Sequence, residues 1–164
     1  MTDFFKITCH STSLADKFGL CENASKPCSY LEENQDDTWL TTVLNPDKTE
    51  RRFIPVRNCL VVDATYDNIT DFCTGIIIFT DNLVFTEVKN SDLGFKVWLR
   101  VGTVLLKNTI KVFKNNHNIE NYQTRVAYLA HRKKRLVPTV NNALKNKFVK
   151  ETGIQLYISH EVSV

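Results

Sequence analysis

Hydrophobic and polar positions alternate with two different periodicities along this chain, one typical of β-strands and one typical of α-helices. Two mostly apolar runs, 73–79 and 83–88, flank the polar pair Asp81-Asn82. Short apolar runs on either side of a polar turn predict a β-hairpin, and their continuous hydrophobicity is typical of strands buried on both faces. The second strand ends in Glu87 and Lys89, two charged residues that alternation places on one face.

The sequence after the hairpin has the periodicity of an α-helix. From about Lys96 to Lys114 the apolar residues recur every three or four positions, which predicts a helix that packs against the sheet. A second helix is predicted from about Val140 to Thr152, with Gly153 as its C-terminal cap.

The remaining apolar stretches are short and predict strands or a single turn of helix. Ser25-Lys26-Pro27 resembles a capped helix start and predicts a short helix to about residue 33. Strands are predicted over 39–44, 52–56, 59–63, 123–130 and 154–158. This order of elements predicts an α/β (α+β) fold around one mixed sheet. At 164 residues the chain is expected to form one domain, 1–164.

Composition narrows the class of protein. No apolar run approaches the ~20 residues that a membrane helix needs, so no membrane partner is expected. The first residues lack the basic and then apolar layout of a signal peptide, and five cysteines is an odd number. Both observations favour a cytoplasmic protein with reduced thiols. Cys9, His10, Cys21 and Cys28 could hold zinc, although their spacing lacks a tight Cys-x2-Cys knuckle; the alternative is buried or idle thiols.

Charge is divided unevenly between the two halves. Residues 1–90 contain 8 basic and 14 acidic side chains, for a net charge of −6. Residues 91–164 contain 13 basic and 4 acidic side chains, for a net charge of +9. A basic half suits a polyanionic partner such as nucleic acid. The run Arg132, Lys133, Lys134 and Arg135 could contact a phosphate backbone, or it could be a solvated loop.

The open end of the hairpin is the candidate site. With Asp81-Asn82 as the turn, Lys89 would lie opposite Thr74, and Glu87 opposite Ile76. Asp71, three residues before Thr74, could reach the same place. Asp71 and Glu87 would then bind Mg²⁺, while Lys89 would orient the attacking water or offset transition-state charge in a phosphodiesterase. The alternative is an exposed strand end with an ordinary ion pair.

Several stretches around this hairpin share their pattern with known nucleases. They are Cys73, Glu87-Val88-Lys89, Trp98, Leu106-Lys107-Asn108-Thr109-Ile110, Arg125-Val126-Ala127-Tyr128 and residues 147–153. Through them the chain resembles the PD-(D/E)xK nuclease superfamily, and most of all a group of small bacterial proteins within it. The resemblance covers about residues 39–164. It implies a restriction-endonuclease-like mixed central sheet flanked by helices, a Mg²⁺ site and nucleic acid as the substrate class.

Two positions depart from that family pattern. Thr74 stands where the family has an aspartate, and Leu105 stands where it has a helix glutamine. A neutral hydroxyl is a poor substitute for an anionic Mg²⁺ ligand, and leucine has no polar group to offer a phosphate. Two hypotheses follow: a Mg²⁺-dependent DNA or RNA endonuclease that uses Asp71, Glu87 and Lys89, or an inactive nuclease fold that binds nucleic acid or a protein partner.

Overall fold

The computed structural model describes residues 1–63, 66, 68–69, 71–88, 94–133 and 142–164 of the chain. Within these residues the fold contains ten strands and two α-helices. The strands are β1 (Ser11–Ser13), β2 (Lys17–Cys21), β3 (Tyr30–Glu32), β4 (Thr41–Leu44), β5 (Arg51–Pro55), β6 (Gly75–Phe79), β7 (Asn82–Glu87), β8 (Thr124–Ala130), β9 (Gln155–Ser159) and β10 (Glu161–Ser163). The helices are α1 (Phe95–Asn116) and α2 (Asn142–Thr152).

A six-stranded mixed sheet forms the centre, in the order β1-β5-β6-β7-β8-β9. Neighbours from β1 to β7 are antiparallel, whereas β7, β8 and β9 run parallel. Parallel neighbours need a crossover connection, and α1 and α2 lie in the two crossovers. The predicted α/β class with a mixed sheet is therefore confirmed.

Both helices lie where the spacing of apolar residues predicts them. The inner face of α1 is buried against β7 and β8, and Leu106, Ile110 and Phe113 are among its buried residues. Gly153 ends α2 with φ +70°, and its N–H donates to the carbonyl of Val149 at 2.7 Å. This left-handed conformation is the one that glycine adopts without steric cost.

A second sheet covers the opposite face of the central sheet, in the order β10-β4-β2-β3. Phe18, Leu20 and Val43 from this sheet share a buried cluster with Phe53 and Ile77 of the central sheet. The prediction of one sheet is therefore wrong. The predicted helix over 25–33 is also wrong, because residues 30–32 form β3, paired with β2. The predicted strand over 59–63 is likewise not a strand.

The hairpin turns one residue earlier than predicted. Phe79 pairs with Asn82, so Thr80 and Asp81 form the turn, with Thr80 at φ +46°. Every cross-strand pair is consequently displaced by two residues, and Thr86 lies opposite Gly75. Because side chains alternate with a period of two, the displacement leaves each side chain on its predicted face but brings Glu87, not Lys89, level with Thr74.

Neither helix in the described part of the chain is both long and apolar enough to cross a bilayer.

The contact between β2 and Trp39 gives a packing test. A Cβ added at Gly19 would lie 1.9 Å from Cγ of the buried Trp39 ring. We expect Gly19→Ala to lower the free energy of unfolding by about 1–3 kcal/mol, because a rigid ring must shift. Gly94→Ala should cost less than about 1 kcal/mol, because among the described residues no heavy atom beyond its chain neighbours and its own helix backbone lies within 4 Å of the added Cβ. Urea unfolding of both variants measures the difference, and equal costs would contradict the packing described.

Candidate active site

Glu87 lies at the end of β7, between β6 and β8, and is 1% exposed. A carboxylate this deeply buried needs hydrogen bonds or an opposite charge, because its desolvation is costly. Its surroundings supply both. Oε2 accepts hydrogen bonds from the backbone N–H of Thr74 at 3.0 Å and from the hydroxyl of Thr74 at 3.4 Å, and it forms an ion pair with Nη2 of Arg57.

Thr74 joins the two strands at the open end of the hairpin. Besides donating to Glu87, its hydroxyl accepts a hydrogen bond from the N–H of Val88 at 3.0 Å. Thr74, which stands where the resemblance implies an aspartate, is therefore a fully buried partner of Glu87. It contributes no negative charge of its own.

Arg57 follows β5 and connects two carboxylates. Nη2 pairs with Glu87, and Nη1 pairs with Glu22, which directly follows β2. Burial lowers the pKa of Arg57, but attraction to Glu87 and then Glu22 outweighs this effect and holds the pKa above its ordinary value. Arg57 therefore stays charged, and Glu22–Arg57–Glu87 forms a continuous ion-pair chain.

Sequence reasoning missed both Arg57 and Glu22. A signal for Arg57 existed, because the predicted strand over 52–56 ends beside it. Pairing of that strand with the hairpin, seen in Pro55 opposite Gly75 and in the 3.0 Å bond from the N–H of Val56 to the carbonyl of Thr74, brings Arg57 to Glu87. No sequence pattern indicates the role of Glu22.

Of the other two predicted catalytic residues, only Asp71 lies in the described part of the chain. Lys89 lies outside the described residues. Asp71 is exposed, and its carbonyl accepts a hydrogen bond from Asn108 of α1 at 3.0 Å. It borders a cavity of about 400 Å³ beside α1, together with Arg100 and Leu105, and Glu87 is not among the lining residues of that cavity.

The residues around Glu87 do not fit the Mg²⁺ site that the resemblance implies. Arg57 already places a positive charge on the carboxylate oxygen that a divalent cation would bind. The residue opposite, Thr74, offers a hydroxyl where Mg²⁺ prefers a carboxylate. Thr74 therefore brings no negative charge to this place, and Arg57 compensates the charge of Glu87.

Leu105 and Cys73 belong to the apolar core beside the hairpin. Leu105 is buried, and its carbonyl accepts a hydrogen bond from Thr109, whose hydroxyl oxygen also accepts one from the N–H of Cys73 at 2.9 Å. Burial raises the pKa of the Cys73 thiol to about 12. Cys73 is therefore a neutral thiol at physiological pH and not a nucleophile.

A cavity of about 560 Å³ adjoins the ion-pair chain. Glu22 and Arg57 border it, together with Lys26, Cys28 and Ser29. The hydroxyl of Ser29 donates to Glu22 at 3.3 Å. The wall thus combines charged and hydroxyl groups with apolar side chains such as Leu40 and Pro27, a mixture typical of small-molecule cavities.

Only part of the predicted basic run lies in the described chain. The guanidinium of Arg132 donates a hydrogen bond to the carbonyl of Asp36, and the backbone N–H of Arg132 donates to the carbonyl of Leu40 at 2.8 Å. Lys133 is exposed. Lys134 and Arg135 lie outside the described residues.

Comparison with protein-family models, with curated proteins and with solved structures finds no match to this chain.

The ion pair makes a prediction about stability. Arg57→Ala leaves Glu87 buried without its cation, so we expect a loss of about 3–5 kcal/mol in the free energy of unfolding near neutral pH. The loss should shrink as the pH falls, because protonation removes the unpaired buried charge. Arg57→Ala combined with Glu87→Gln should be more stable than Arg57→Ala alone. Denaturant unfolding across a pH series provides the measurement.

A matched control uses another arginine–glutamate pair. Arg125 pairs with Glu120, whose side chain is 73% exposed. Removal of such a surface pair costs at most about 1 kcal/mol. If Arg125→Ala and Arg57→Ala destabilise the protein equally, the buried Arg57–Glu87 pair stabilises the fold no more than a surface pair does.

The raised pKa of Cys73 gives a chemical test. Near pH 8, well below a pKa of about 12, Cys73 should resist alkylation by iodoacetamide in the folded protein and react after unfolding. Peptide mass spectrometry identifies the labelled cysteines. Rapid labelling of Cys73 in the folded state would mean that the site opens to solvent.

Proposed function

We propose that this chain is a nuclease-like protein that has lost phosphodiesterase activity. We propose further that it binds nucleic acid through the basic side chains on α1 and α2. The observation that carries the first part is the ion-pair chain Glu22–Arg57–Glu87. Metal-dependent hydrolysis of a phosphodiester needs carboxylates that are free to hold the ion. In this chain the buried carboxylate is neutralised by arginine, and its neighbour is Thr74.

The second part rests on the charge of the helices. Five basic side chains of α1 recur at a spacing of three to seven residues and so lie along one side of the helix. They are Lys96, Arg100, Lys107, Lys111 and Lys114. Three of these line a groove of about 260 Å³ between α1 and the C-terminal end of α2.

Acidic residues compensate only part of this charge. Glu151 pairs with Lys107, and its Oε1 lies 3.9 Å from Nζ of Lys147. The hydrogen bond from Lys107, together with attraction to both lysines, lowers the pKa of Glu151, so it remains ionised. Lys111 and Lys150 are exposed on the same pair of helices. A surplus of positive charge on neighbouring helices favours a phosphate backbone over an uncharged protein surface.

Cleavage and binding are tested separately. Plasmid DNA and single-stranded RNA incubated with the protein and Mg²⁺ or Mn²⁺ should remain intact, and titration calorimetry should detect no Mg²⁺ binding. Metal-dependent cleavage that disappears in Glu87→Gln would instead establish the endonuclease. That result would overturn the first part of the proposal and leave the binding question to its own assay.

Binding is measured by fluorescence anisotropy with labelled duplex DNA and single-stranded RNA over a series of salt concentrations. Lys111→Gln/Lys150→Gln should weaken binding and reduce the slope of log K against log salt by up to about 2, because each phosphate contact contributes about 0.7–0.9.

The matched control removes the same charge from the acidic half. Lys17→Gln/Lys48→Gln alters two lysines that border a cavity at the ends of β2 and β4. This variant should keep the native slope. Salt-independent binding, or equal effects of the two double substitutions, would favour a protein partner over nucleic acid.

A further inference from the structure

Three cysteines that are far apart in sequence meet at one end of the fold. Cys9 precedes β1, Cys28 precedes β3 and Cys59 follows β5. Their three sulfur atoms lie within 4.8 Å of one another. Cys21, which the sequence groups with Cys9 and Cys28 as a zinc ligand, is buried elsewhere beside the hydroxyl of Thr38 at 3.7 Å.

A disulfide accounts for only two of the three sulfurs. Cys28 and Cys59 are joined in the structure, so the expectation of five reduced thiols is wrong for this pair. Sγ of Cys9 lies 2.9 Å from Sγ of Cys28 and 3.5 Å from Sγ of Cys59. Nothing in a disulfide requires a third thiol in contact with both of its sulfurs, whereas a metal ion requires all its ligands around one point.

Once the disulfide is reduced, three sulfurs that start this close together could surround a single tetrahedral ion. Zinc binds thiolate sulfur at ~2.3 Å, so two sulfurs on one zinc lie about 3.8 Å apart. After reduction, the sulfurs of Cys28 and Cys59 must separate from bonding distance to this spacing, whereas Cys9 must move less, because its sulfur already lies 2.9 and 3.5 Å from theirs. Sulfur ligands select zinc over the hard cations that carboxylates hold.

We propose that the reduced chain binds one Zn²⁺ through the thiolates of Cys9, Cys28 and Cys59, with water as the fourth ligand. A phosphine reductant first supplies two electrons to the Cys28–Cys59 disulfide and becomes a phosphine oxide, while water supplies the oxygen of that oxide and the two protons of the new thiols. Zn²⁺ then displaces three thiol protons, which pass to solvent, and the zinc with its three thiolates carries one negative charge.

Water completes the site because the described residues place no other histidine, cysteine or carboxylate within this group. The cluster is partly open to solvent, since Cys9 is exposed and the other two cysteines are half-buried. Exposed His10, next to Cys9, is the neighbouring side chain that could compete for the fourth position.

The zinc would act on the ion-pair chain through the backbone. Cys59 lies two residues after Arg57, and Cys28 borders the same cavity as Arg57 and Glu22. An ion that ties these loops together restricts the motion of the loop that carries Arg57. This inference does not depend on nucleic-acid binding, and its test measures metal alone.

The test loads the full chain with metal. Protein kept in a phosphine reductant is given Zn²⁺ or Co²⁺, desalted and measured for metal content by mass spectrometry. We expect about one ion per chain and, with Co²⁺, the absorption of a tetrahedral thiolate complex. Chelation should lower the melting temperature, because metal binding contributes to folding.

Single substitutions separate the metal site from a disulfide alone. Cys9→Ser, Cys28→Ser and Cys59→Ser should each lose the metal on desalting, whereas Cys21→Ser should retain it. Circular dichroism checks that each variant is folded. His10→Ala should also retain the metal, and loss of zinc in this variant would overturn the assignment of water.

Two results would overturn the site itself. One is a reduced native protein that retains no Zn²⁺ or Co²⁺. The other is zinc that persists in Cys9→Ser, because Cys9 is the ligand that a disulfide does not need. In either case the cluster is a disulfide with a neighbouring thiol.

Discussion

The burial of one charge, on Glu87, constrains much of this fold. A carboxylate that is 1% exposed must receive hydrogen bonds and a cation, and Thr74 and Arg57 supply them. Arg57 is itself largely buried and needs a second acid, Glu22. Because Glu87 belongs to the central sheet and Glu22 follows β2 of the other sheet, this single requirement links the two sheets at one end.

Under our proposal, the same arrangement would allow a nuclease-like site to persist without catalysis. A buried acid that had lost its metal would destabilise the protein, so an inactive descendant must either remove the acid or neutralise it. Arginine is suited to the second course, since its planar guanidinium can bind two carboxylates at once and stays charged when buried. In our proposal, binding to nucleic acid then falls to α1 and α2, on surfaces that do not depend on the metal.

Local patterns predicted the parts of the fold that local interactions determine. The structure contains the helix predicted from about Lys96 to Lys114, the C-terminal cap at Gly153 and the paired strands of the hairpin. The turn was misplaced by one residue because Thr80-Asp81 and Asp81-Asn82 are both polar pairs. Only cross-strand packing selects between them, and the side-chain alternation was preserved because the resulting displacement is even.

These local sequence patterns could not predict contacts between residues that are far apart in the chain. The pairing of β3 with β2 overrides a helix signal at Ser25-Lys26-Pro27, and Cys59 takes the place expected of Cys21. The parallel pairing of β10 with β4 has a further consequence, because the strand that completes the smaller sheet comes more than a hundred residues after its partner. During synthesis, strands β2 to β4 would leave the ribosome with an open edge. That edge therefore stays unpaired until β10 has been synthesised.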